Sequence, residues 1–157
     1  MARYLVVAHQ TALSTELREQ LGQLKWKDPR AEFVLLVPAT PVGSLMLWEE
    51  GESADIAQRR AEETRRVLEQ DELKMLDARV GDHRPLDAIM DEFRDHGPYQ
   101  GIVLSTFPPG MSKWLGMDLP TQLRRKFPDV PLMHVMSAPR AAEDVSSGRR
   151  YKTQSLP

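Results

Sequence analysis

The chain has no cysteine among its 157 residues. That absence excludes disulfide frameworks, thiolate nucleophiles and cysteine-based zinc sites, and it accords with a reducing compartment. A dominant charge is missing as well: 28% of the residues are charged, yet the formal net charge is only −2. No global field therefore draws the chain to nucleic acid or to an anionic membrane. Long apolar runs are also lacking. The opening MARYLVVAHQT carries one arginine and an apolar stretch that meets polar residues at His9, too short for a signal sequence or a membrane span. His9, His83, His96 and His134 are scattered, with no helix-spaced pair and no carboxylate triad, so no metal site is expected. Walker A, G-x-G-x-x-G and G-x-S-x-G patterns are absent, which leaves no motif-based catalytic residue. The expectation is a soluble, cytoplasmic, single-domain protein, long enough to bury a full core without metals or disulfides.

What is present alternates. Tyr4 to Ala8 (YLVVA) is a continuous apolar run, as in a strand buried on both faces. Leu13, Leu17, Leu21 and Leu24 then recur at helical spacing, with Ser14 or Thr15 as N-cap and Asp28-Pro29 as the stop. Ala31 to Val37 is the second strand, closed by Pro38, and Ala54, Ala57, Ala61, Thr64 and Leu68 mark the second helix, with Ser53 placed to cap it. Met75 to Val80 reads as an edge strand because Asp77 and Arg79 interrupt it. Pro85 starts a helix whose buried stripe is Leu86, Ile89, Met90 and Phe93, ending near Gly97-Pro98. Ile102 to Leu104 is the fourth strand, Leu119, Leu123 and Phe127 mark another helix, and Leu132 to Met136 is the fifth strand. The βαβαβαβαβ order calls for an α/β fold, a parallel sheet with helices on both faces. It spans residues 1–137. Residues 138–157 form a C-terminal tail, and the Ser, Arg and Ala-rich segment from Ser137 is expected to be mobile or loosely docked. The long Thr40–Glu52 connection, with Leu45, Met46, Leu47 and Trp48, is expected to pack on its own domain or on a neighbouring subunit, the alternative being that it helps cover a ligand.

In such a sheet, ligands bind beyond the carboxyl ends of the strands where strand order reverses. With the first strand central, His9, Gln10 and Thr11 lie beside the loop from Ser105 to Trp114. The candidate ligand-binding residues are therefore His9, Gln10, Thr11, Ser105, Thr106, Gly110, Ser112 and Lys113. His9 has the chemistry of a general base, a ligand-orienting donor or a hydrogen-bonded structural histidine. Ser105 and Thr106 suit an anion or a local backbone cap, Lys113 suits a phosphate or bulk solvent, and Trp114 suits an apolar gap or a stacked ring. Pro108 and Pro109 remove amide donors that a phosphate cradle uses, while Asp118 caps the next helix and repels an incoming phosphate.

The RYLVVA opening, the Val80-Gly81-Asp82 turn followed by Pro85 and Ala88-Ile89, the GIVLST run and the closing PLMHV together resemble the universal stress protein family over about residues 3 to 137. The resemblance implies an adenine-nucleotide alpha-hydrolase-like three-layer sandwich with strand order 3-2-1-4-5. It implies a stress-response regulatory or interaction domain, a homodimer through the last strand, and ATP or another adenine nucleotide as the ligand where the binding motif is intact. Nucleotide-binding members of that family carry an Asp after the first strand and G-x2-G-x9-G-[S/T] after the fourth. Here His9 replaces the Asp, Pro108 falls at the first glycine, Met117-Asp118 aligns with the final pair, and Gly110 alone approximates a match. The implied reading is a divergent member without canonical ATP binding. The alternative is a small-molecule or nucleotide binder using the same crevice, and a third reading is an enzyme with His9 as base and a strand-end hydroxyl.

Overall fold

A computed structural model of the chain describes residues 2–39 and 50–138. The strands are β1 (Arg3–Val7), β2 (Glu32–Pro38), β3 (Lys74–Gly81), β4 (Gly101–Thr106) and β5 (Leu132–Met136). The helices are α1 (Thr15–Lys27), α2 (Glu50–Gln70), α3 (Pro85–His96), the single turn α4 (Lys113–Gly116) and α5 (Leu119–Lys126). All strand pairings are parallel, and the sheet order is β3-β2-β1-β4-β5, the 3-2-1-4-5 arrangement of a three-layer α/β sandwich.

The apolar runs become central strands because each of their side chains has a core to enter. Val6, Phe33, Leu35, Val37 and Val103 point to one face, where Leu17, Leu21 and Leu24 of α1 and Ala57, Ala61 and Leu68 of α2 cover them. Leu5, Val7, Val34, Leu36, Ile102 and Leu104 point to the other face, under Ala88 and Ile89 of α3 and Leu119 and Leu123 of α5. Each fully buried leucine or isoleucine contributes about 1.5–3 kcal/mol of transfer free energy, so both faces hold the sheet. Gly81 lets α3 approach closely: a Cβ there would lie 2.8 Å from the Ala88 Cβ.

Local signals place most helix ends. Ser14 caps α1, its hydroxyl accepting from the Leu17 amide at 3.1 Å, and Asp28 ends that helix. Pro85 opens α3 and Gly97 closes it. Several expectations need correction. Leu13 lies before α1 and is 39% exposed, because the chain turns at His9–Ser14 before the helix begins. Ser53, expected just before α2, falls inside that helix, which runs from Glu50. Strand β4 runs on through Ser105 and Thr106, whose hydroxyls find partners inside the fold. Asp118 makes no side-chain cap; it adopts a left-handed conformation (φ 56°) between α4 and α5. Ser137 is fully buried, its amide donating to the Thr106 carbonyl at 2.8 Å and its hydroxyl bonded to Ser14 Oγ at 2.8 Å, so the start of the segment expected to be loose is pinned to the sheet. The rest of that segment, from residue 139, and residues 40–49 of the long connection, with Trp48, lie outside the described residues.

Candidate functional site

Strands β1 and β4 run side by side up to the Val7–Leu104 pair. Beyond it the chains part, one crossing to α1 on the first face and the other to α4 and α5 on the second. Parallel strands whose connections leave to opposite faces open a crevice at their carboxyl ends. A cavity of about 610 Å³ occupies that position. Its size falls in the range of small-molecule sites.

Six of the eight residues singled out from sequence line this cavity: His9, Gln10, Thr11, Ser105, Thr106 and Lys113. Gly110 and Ser112 do not. Gly110 sits on the exposed turn at φ +90°, a conformation that favours glycine. Ser112 is engaged as the N-cap of α4, its hydroxyl accepting from the Leu115 amide at 3.2 Å. Asp118 is exposed and is not among the residues lining the cavity, although its neighbour Met117 is.

The polar groups on the floor are bonded in specific ways. Thr11 Oγ1 and Ser105 Oγ lie 2.6 Å apart, so the loop after β1 is tied to β4. Thr106 Oγ1 donates to the Phe107 carbonyl at 2.8 Å and lies 2.8 Å from His134 Nε2. A hydroxyl has one proton, so His134 is the donor in the second bond, which selects its Nε2–H tautomer. Burial and the nearby Arg124 charge lower the His134 pKa, in keeping with a neutral ring.

His9 behaves differently. It is 6% exposed, and its Nε2 is enclosed with no hydrogen-bond partner among the described residues. Burial first, and then the charge of Arg60, push its pKa down to about 4, so the imidazole is neutral at physiological pH. No hydroxyl bonds to Nε2, and the nearby Thr11 and Ser105 hydroxyls are bonded to each other. The base–nucleophile pair required by an enzymatic reading is not assembled among the described residues.

Sequence reasoning missed the wall contributed by the start of α3: His83, Arg84, Pro85, Leu86 and Asp87 line the same cavity. The available signal was that this segment also follows the carboxyl end of a parallel strand. Phe107, Met111, Trp114 and Met117 complete a mostly apolar wall. Trp114 is buried, whereas Met111 and Met117 are half exposed and offer flexible thioethers at the mouth. Arg84 is balanced by Asp87 at 2.9 Å and Asp82 at 3.4 Å. Lys113 is exposed, with no carboxylate within 4.0 Å among the described residues.

A nucleotide phosphate fits this loop poorly. The amides of Met111 and Ser112 both turn inward to the Pro108 carbonyl, at 3.1 and 3.2 Å, and Pro108 and Pro109 have no amide proton to give. Among the described residues no group of three or more His, Asp or Glu side chains could hold a metal ion, and no helix is long and apolar enough to cross a membrane. No protein-family model matches the chain, and no curated protein sequence matches it either.

Proposed function

We propose that this chain is a non-enzymatic small-molecule-binding domain, a regulatory module of the universal-stress-like type, with its ligand in the crevice between the β1 and β4 loops. The observation that carries this reading is the cavity of about 610 Å³ at the point where strand order reverses. A largely apolar wall with a few convergent polar groups is the usual composition of a binding pocket. The neutral, unpartnered His9 and the self-paired hydroxyls favour recognition over catalysis.

Thermal melting with a panel of small metabolites tests the proposal. A ligand present at 100 times its Kd should add about 2.7 kcal/mol to the apparent stability. Filling the mouth with Met111→Trp should abolish that gain without unfolding the protein, since Met111 is exposed. An unchanged melting temperature across the panel at millimolar concentrations would count against the reading.

A second reading concerns assembly. Among the described residues strand β5 is a sheet edge paired with β4 alone, and Met136 on it is 50% exposed. An apolar edge of this kind is suited to a second copy of the chain, giving a homodimer through the last strand. Light scattering at micromolar concentration should then give the mass of a dimer; a monomer mass would reject it.

A further inference from the structure

We infer that the crevice accepts an uncharged, flat, apolar ligand, and that it discriminates against phosphorylated molecules of the same shape. This inference rests on the ligand-binding reading above and specifies the class of ligand.

The charges around the cavity come first. A phosphate carries one to two negative charges and needs several donors at once. Arg84 already faces Asp82 and Asp87, and His83 Nδ1 lies 3.3 Å from Asp82, so this wall has little positive charge to offer. Lys113 stands on the exposed rim, where water screens it. Asp87 adds a carboxylate to the lining. The adjoining loop has prolines at 108 and 109, and the Met111 and Ser112 amides are spent on the Pro108 carbonyl.

The apolar surface argues for what does fit. Phe107, Trp114, Met111, Met117 and Leu86 present two aromatic rings, two thioethers and an aliphatic side chain. Thioethers adapt to the faces and edges of rings, which suits a flat aromatic or heteroaromatic guest. His9 also lines the cavity, but its Nε2 is enclosed and its ring is neutral, so the floor adds no positive charge for a phosphate to meet.

Titration calorimetry with three probes tests the inference: 1-naphthol, 1-naphthyl phosphate and inorganic phosphate, all near neutral pH. The expected result is that 1-naphthol binds at least about tenfold more tightly than its phosphate ester, a difference of about 1.4 kcal/mol, and that inorganic phosphate does not bind. Met111→Trp, which fills the mouth, should weaken 1-naphthol at least about tenfold, and its thermal melt in the absence of ligand confirms that the variant is folded. Equal or tighter binding of the phosphate ester, or binding of inorganic phosphate, would overturn the discrimination while leaving the ligand-binding reading in place. Unaltered 1-naphthol affinity in the folded Met111→Trp protein would overturn the seating of the guest in this crevice. If neither ring compound binds, this inference fails, and the reading beneath it is decided by the metabolite panel.

Discussion

Two polar side chains of nearly equal burial are treated in opposite ways. Glu92 on α3 is 5% exposed and His9 after β1 is 6% exposed. Glu92 receives Arg79 Nη2 at 2.8 Å and Nε at 3.0 Å, and its Oε2 also accepts the Tyr99 hydroxyl at 2.5 Å. Asp77 further engages Arg79. Burial alone would lift the Glu92 pKa, but these donors outweigh it and hold the carboxyl below its ordinary value. The same environment pushes Tyr99 up to about 12, through burial first and the adjacent carboxylate second. His9 has no comparable support at Nε2, and its burial simply keeps it neutral. A buried charge is therefore surrounded by donors where it braces the edge of the sheet, whereas a neutral polar atom is left without one beside the cavity.

The comparison can be broken most forcefully at Arg79. Arg79→Ala should strip Glu92 of its cation and destabilise the fold by about 3 kcal/mol, the lower end for breaking a buried pair because Arg79 retains some exposure. Chemical denaturation measures this, and a change well under 1 kcal/mol would place the Glu92 cluster among surface ion pairs instead. Replacing both residues with leucine should recover much of the loss.

Acid comes next. The folded pKa of His9, about 4, lies below the unfolded value of 6.5, so the folded state resists protonation. Its contribution is fully present above pH 6.5 and is lost as the pH falls toward 4, where it reaches about 2–3 kcal/mol. The carboxylates with lowered pKa, Asp28, Asp71 and Glu92 among them, add losses of the same sign at lower pH. The His9 part is isolated by comparing wild type with His9→Leu between pH 7 and 4.5; parallel stability curves would contradict it.

At neutral pH the same substitution should stabilise the unliganded protein by about 1 kcal/mol, because it removes a buried polar atom without a partner. The smallest effect concerns the hydroxyl pair. Ser105→Ala should cost about 1 kcal/mol by orphaning Thr11, whereas Thr11→Val with Ser105→Ala should return close to wild type. Additive losses in that cycle would mean that the two hydroxyls act separately.

Much of this architecture could be read from the chain because its causes are local. YLVVA, FVLLV and GIVL are continuous apolar runs since both faces of the sheet are covered, and Ser14 and Pro85 mark helix starts through chemistry within a few residues. The misreadings have long-range causes. Ser105 and Thr106 look like the beginning of a loop until Thr11, 94 positions away, and His134, 28 positions away, supply partners. Asp77 and Arg79 look like ordinary edge charges until Glu92 and Tyr99 fold over Arg79. The crevice was legible as a position, between the β1 and β4 loops, but the α3 wall was not, because nothing local says how far a helix start leans across a sheet.

The strand order also has a kinetic meaning. Among the described residues β3 and β5 each have one neighbour, whereas β2, β1 and β4 are hydrogen-bonded on both sides. Amide hydrogens in strands of the second kind exchange with solvent only through the largest opening motions, while edges and turns exchange through local fraying. The floor of the crevice thus lies at the end of a seam between two interior strands, and its rim, at Met111 and Lys113, belongs to a turn and a single-turn helix. Deuterium uptake should therefore divide the site in two: a permanent seat, and a border that rearranges many times for each opening of the seat beneath it.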